Sequence, residues 1–143
     1  MNPCIDCHAL MIKKVFENIS IEKKEFIATG EVLGQRPMSQ NAKSLNSVQN
    51  FSGCKGYLLR PLSAKLLEPT EVEKLGWVDR SQLCSISGRK REKQLQLAKE
   101  FGLKNFAWPG GGCKLTDPTF SKLLLYLKDE NLLDNKILLK ALN

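Results

Sequence analysis

Tyr57-Leu58-Leu59-Arg60-Pro61-Leu62 is an apolar run interrupted by one charge and closed by a proline. Such a run reads as a short buried strand, and Pro61 marks its end because proline has no N–H for a sheet ladder. Working back from it, Phe26-Ile27-Ala28-Thr29 followed by Gly30 reads as a second buried strand. Between the two, residues 31–40 carry Gly34 and Pro37 and read as a loop, and residues 42–48 as a short helix. Strand, helix, strand predicts an α/β fold with a parallel sheet. The expected architecture is a partial Rossmann-like sheet of few strands with flanking helices and a helical C-terminus. So few strands imply that part of the sheet lies elsewhere.

Outward from this centre the remaining elements are helical. Leu10, Met11, Ile12, Val15 and Phe16 make an apolar face at helical spacing, which predicts a helix over 7–17. Pro69-Thr70 opens a short helix that Gly76 stops. A third helix is expected over 87–101, ended by Gly102. Thr116-Asp117-Pro118 is a helix start, after which Phe120, Leu123, Leu124 and Leu127 repeat at helical spacing. A last amphipathic segment covers 132–142. Residues 1–118 are expected to form one α/β domain, and 119–143 a helical extension.

The chain has 143 residues, 42% of them hydrophobic, enough for one domain with a core. No stretch approaches ~18 consecutive apolar residues, so no membrane span is expected. No secretory leader is visible, and a cytoplasmic location is expected. Five cysteines, an odd number, favour thiols or metal ligands over disulfides. The formal charge of +7 suggests a polyanionic partner. Arg89, Lys90, Arg91 and Lys93, preceded by Arg80, form the densest basic cluster and are the expected RNA contacts. Because the cluster follows Ser87-Gly88 and opens the third helix, its amides and side chains are expected to meet a phosphate together.

Cys4 and Cys7, in Asn2-Pro3-Cys4-Ile5-Asp6-Cys7-His8, are spaced so that two thiolates can share one metal centre. Ahead of a helix, the positive end of its dipole favours thiolate. This spacing suits half of a zinc site, a redox pair or part of an iron–sulfur cluster. Cys113 follows Gly110-Gly111-Gly112, a backbone that lets a bulky group come close. Cys54 and Cys84 read as incidental. His8 is either a fourth ligand, closing a structural zinc site, or a helix-surface residue that supports its neighbours by hydrogen bonds. Arg60 and Glu31 stand at the carboxyl ends of the two strands, where open α/β sheets bind ligands. They read equally as a salt bridge. The phosphate-cradling motifs G-x-x-x-x-G-K-[ST], G-x-G-x-x-G and S-G-G-x-D-S do not occur in the chain.

Taken together, these segments resemble the later portion of PP-loop ATPases of the tRNA-thiolation type, the 2-thiouridylase-like and 4-thiouridine-synthase-like group. The resemblance is carried by residues 2–14 (NPCIDCHALMIKK), 26–40 (FIATGEVLGQRPMSQ) and 58–80 (LLRPLSAKLLEPTEVEKLGWVDR). Residues 87–91 (SGRKR) and 110–118 (GGGCKLTDP) extend it over nearly the whole chain. It implies that Cys4, Cys7 and Cys113 hold a [4Fe-4S] cluster by three thiolates, with one iron left for the sulfur that is transferred. It implies that ATP adenylates a tRNA uridine oxygen, which sulfur then displaces. Ala28-Thr29-Gly30 would lie beside the nucleotide, and Arg60-Pro61-Leu62 would end a later strand at the same edge.

The family's S-G-G-x-D-S loop would precede Asn2, and longer relatives continue past Leu142. The resemblance therefore implies a split protein with a separately encoded ATP-binding half, a truncated relic or a misplaced gene start. ATP enters only if such a half is supplied. Two other readings stand beside it: a zinc-binding RNA module without catalysis, and a degenerate fragment.

Overall fold

The computed structural model describes residues 3–105, 113–132 and 134, and the chain forms two compact units, residues 2–104 and residues 105–143. The first unit carries a small parallel sheet. Strand β1 (Ile27–Ala28) pairs with β2 (Leu58–Leu59), Ile27 opposite Leu58 and Ala28 opposite Leu59. The Ile27 N–H donates to the Tyr57 carbonyl at 2.9 Å, and the Thr29 N–H to the Leu59 carbonyl at 3.0 Å. Both strands fall where the apolar runs placed them, and the mixed α/β character holds.

Helix α1 (Pro3–Phe16) begins a turn earlier than expected. Pro3 is its first residue, a position where the missing N–H costs nothing. Cys4 and Cys7 therefore lie inside the helix rather than ahead of it. Helix α2 (Ala42–Ser52) connects the strands and runs past the expected end at 48. Asn41 caps it by accepting from the Ser44 N–H at 2.9 Å, and Gly53 ends it at φ 75°.

The core gathers Ile12 of α1, Ile27, Val48 of α2, Cys54 and Leu58, with Ile5, Phe16 and Ile19 packed on it. Each fully buried side chain of this size contributes about 1.5–3 kcal/mol. An aromatic row extends the core: Phe16 stacks on Tyr57 at 6.3 Å, and Tyr57 meets Trp77 at 5.9 Å.

After β2 the chain turns through a 3-10 segment (Ala64–Leu66) into α3 (Glu71–Lys74). Thr70 and Glu73 cap α3 reciprocally in a capping box. At the close approach to this turn Gly56 has φ 80°, and a Cβ there would stand 2.9 Å from the Glu71 Cβ. Side chains are excluded from this position.

Residues 31–40, expected to be wholly loop, make a parallel bridge at Leu33 with Ser87. A single bridge has no periodicity for a sequence pattern to reveal. Helix α4 (Glu92–Glu100) is shorter than the expected 87–101. Gly88 at φ 84° cannot be helical, and Arg91, the residue before α4, has φ −115° and ψ 5°. Arg89 and Lys90 therefore precede this helix, Arg91 is the residue at its N-cap, and Lys93 lies in its first turn.

In the second unit a 3-10 turn (Lys114–Thr116) leads into α5 (Pro118–Asp129). Asp117 caps α5 by accepting from the Phe120 N–H at 2.8 Å, as its sequence predicts. Apart from residues 132 and 134, the segment 132–142 lies outside the described residues. Among the described residues no helix is long and apolar enough to cross a membrane.

Candidate functional site

The carboxyl ends of β1 and β2 carry a buried polar network. Glu31 follows β1 and Arg60 follows β2, with side chains only 7% and 5% exposed. The Arg60 Nε donates to Glu31 Oε2 at 2.9 Å. Its terminal nitrogens reach α2, donating to the Leu45 carbonyl at 3.1 Å and to Gln49 Oε1 at 3.4 Å. Glu31 Oε2 also accepts from the Thr29 hydroxyl at 3.2 Å, and Oε1 lies 3.1 Å from His8 Nδ1. One carboxylate thus ties α1 to both strand ends, and Arg60 ties the same point to α2. Of the two readings open for Glu31 and Arg60, the salt bridge is the one observed. Gly30 stands at the same edge, exposed and with open space around its Cα.

Through His8 this network fixes the end of α1 that carries the thiols. Cys4 and Cys7 are three residues apart on one helical face, both half-buried. His8 stands four residues from Cys4, its ring turned to Glu31, and so supports its neighbours by hydrogen bonding as one of its two readings held. All five cysteines carry thiols rather than disulfides. Cys54 is fully buried in the core, 2.8 Å from the Ser52 hydroxyl, which suits the incidental role read for it. Cys113 belongs to the second unit, exposed, just ahead of the turn Lys114–Thr116. The chemistry of Cys4, Cys7 and Cys113 suits iron–sulfur clusters or zinc, since thiolates are the soft ligands both take. Among the described residues no three His, Cys, Asp or Glu side chains gather as a metal site.

The basic residues divide into two groups. Arg80 is occupied internally: one guanidinium nitrogen lies 2.6 Å from Glu73 Oε1, and another donates to the Leu67 carbonyl at 2.9 Å. Although burial raises the Glu73 pKa, the Thr70 N–H, the Thr70 hydroxyl and Arg80 together hold it below the ordinary value of 4.5. Arg89, Lys90 and Lys93 are exposed and Arg91 half-buried. None of these four forms an ion pair or side-chain hydrogen bond among the described residues. Charge density in the sequence marked all five, but could not distinguish the one neutralised within the fold.

A cleft of about 490 Å³ lies between α2, β2 and the turn into α3. Leu45, Gln49, Leu59, Arg60, Thr70 and Glu73 are among its walls. The sequence offered no signal for it, because its walls come from segments that meet only in the fold. Compared with family models, with curated proteins and with solved structures, the chain matches none.

Proposed function

We propose that this chain takes part in sulfur transfer to a tRNA uridine, holding an iron–sulfur cluster and acting with an ATP-binding half supplied by another segment. The observation that carries the reading is the placement of Cys4 and Cys7. Two thiols share one face of α1, and half-buried His8, bonded to the buried Glu31–Arg60 pair, binds that end of the helix to the carboxyl edge of the parallel strands. That edge is where open α/β sheets take their ligands. Cys113 is the third thiolate that the sequence resemblance implies.

A bound [4Fe-4S] cluster would supply redox-active iron with a coordination position left for the transferred sulfur. The chain's own residues do simpler work. Cys4 and Cys7 would hold iron from one face of α1. Glu31 fixes the His8 ring and so the rotation of α1 about its axis. Arg60 holds the Glu31 carboxylate in place, and the cations after Ser87 neutralise phosphate. Gly30 leaves the edge open to a nucleotide brought by the partner half.

Anaerobic purification with iron and sulfide analysis tests the reading. The expected result is a brown, oxygen-sensitive protein whose iron is lost in each of Cys4→Ser, Cys7→Ser and Cys113→Ser. A colourless protein that takes up no iron on reconstitution rejects it. One equivalent of zinc without sulfide replaces it with a zinc-binding RNA module.

A further inference from the structure

The cations that face solvent after Ser87 are joined by one that charge clustering in the sequence does not reach. Residues 33–40 and 87–91 form two arms pinned at a common point. Leu33 and Ser87 make a parallel bridge, and the Gly88 N–H donates to the Leu33 carbonyl at 2.8 Å. Ser63, fully buried just past β2, holds both arms at once. Its hydroxyl accepts from the Leu33 N–H at 2.9 Å and donates to the Ile86 carbonyl at 2.7 Å. Gly34, at φ 77°, lies against the other arm, where a Cβ on it would meet the Gly88 nitrogen at an ordinary contact distance of 3.5 Å.

Just past the bridge the first arm turns on itself, the Gln35 N–H donating to the Val32 carbonyl at 3.1 Å and the Gly34 N–H to the Gln40 carbonyl at 2.7 Å, so Arg36 lies in a closed turn beside the pinned point. Arg36 follows the bridge by three residues on one arm and Arg89 by two on the other. Arg36 is exposed, and like Arg89, Lys90 and Arg91 it makes no ion pair or side-chain hydrogen bond among the described residues.

We propose that these arms form one bracket for the phosphate backbone of RNA, with Arg36 on one side and Arg89, Lys90 and Arg91 on the other. The bracket springs from the strand end that carries Glu31, so it stands at the edge to which His8 holds the thiol-bearing helix. Pinned arms lose little freedom on binding, and guanidinium groups match phosphate geometry. Arg80, bound to Glu73 and Leu67, is outside it. The choice of RNA rests on the proposed function and names the surface on which that substrate would lie.

The test uses the full chain and an unmodified tRNA transcript, with affinity measured from ~50 to ~200 mM salt. Each phosphate contact contributes a slope of about 0.7–0.9 in log affinity against log salt. Arg36→Gln and Arg89→Gln should each flatten the slope by that amount and weaken binding about six-fold at ~0.1 M salt. Lys23→Gln removes the same charge from the turn before β1, at the opposite edge of the sheet, and should leave both unchanged. Equal urea midpoints confirm that each variant folds. An Arg36→Gln chain that binds like the parent overturns the bracket, as does a Lys23→Gln chain that loses as much as Arg36→Gln. Binding is repeated in a Cys4→Ser/Cys7→Ser chain. An unchanged slope there with the same Arg36 effect supports the bracket even if iron assembly fails, whereas iron assembly without an Arg36 effect removes only the bracket.

Discussion

Replacing Arg60 with methionine should be among the most destabilising single changes in the first unit. The substitution keeps much of the side-chain volume and removes the charge. It leaves the Glu31 carboxylate only 7% exposed, with the Thr29 hydroxyl and His8 as its remaining partners. Breaking a buried ion pair on one side costs about 3–5 kcal/mol, because the survivor is a buried charge without its counterion. The Leu45 carbonyl also loses its Arg60 donor. In urea, with a slope of about 1.5 kcal/mol per molar for a unit of this size, the midpoint should fall by about 2–3 M. Glu31→Met/Arg60→Met removes both charges and should recover about 1–3 kcal/mol relative to the sum of the single variants. Circular dichroism across a urea series for the four proteins measures this directly. A midpoint shift below about 0.5 M for Arg60→Met, or strict additivity in the double variant, would refute the claim that the pair is buried and mutually dependent.

Two further outcomes follow from local geometry. Gly56→Ala should lower stability by at least about 1–2 kcal/mol, the cost of a left-handed non-glycine residue, with the crowding against Glu71 added to it. Gly30→Ala, where the added Cβ meets nothing within 4 Å, is the control, and thermal melts compare the two. Glu73, whose folded pKa lies below 4.5, stabilises fully above that value, and its contribution is lost as pH falls through the lower folded value. Urea midpoints at neutral pH and in acid should therefore converge in Glu73→Gln relative to the parent chain, and equal acid sensitivity of the two would contradict the assignment.

Much of this fold was legible in the chain, for reasons that differ from element to element. Strand β2 ends where Pro61 requires, and α5 starts at Asp117-Pro118, because caps and prolines act on their immediate neighbours. Helix α1 starts at Pro3, ahead of the apolar repeat that begins at Leu10, because a proline fits the first helical position without any apolar periodicity to mark it. The Leu33–Ser87 bridge spans more than fifty residues and depends on the Ser63 hydroxyl, so no local pattern announces it. The candidate site divides along the same line. Cys4, Cys7, Glu31 and Arg60 could be picked out by residue type and position. That Arg80 is neutralised by Glu73, or that Arg36 stands on an arm pinned to Gly88, depends on contacts made only after folding.

The Glu31–Arg60 anchor also sets how the molecule breathes. Since it joins α1, α2 and both strand ends through single side chains, those four elements must separate together or not at all. Helix α4 has no buried residue and lies outside that network. Deuterium from solvent should thus enter the amides of Glu92–Glu100 through small local openings, long before it reaches Ile27 or Thr29 between the strands.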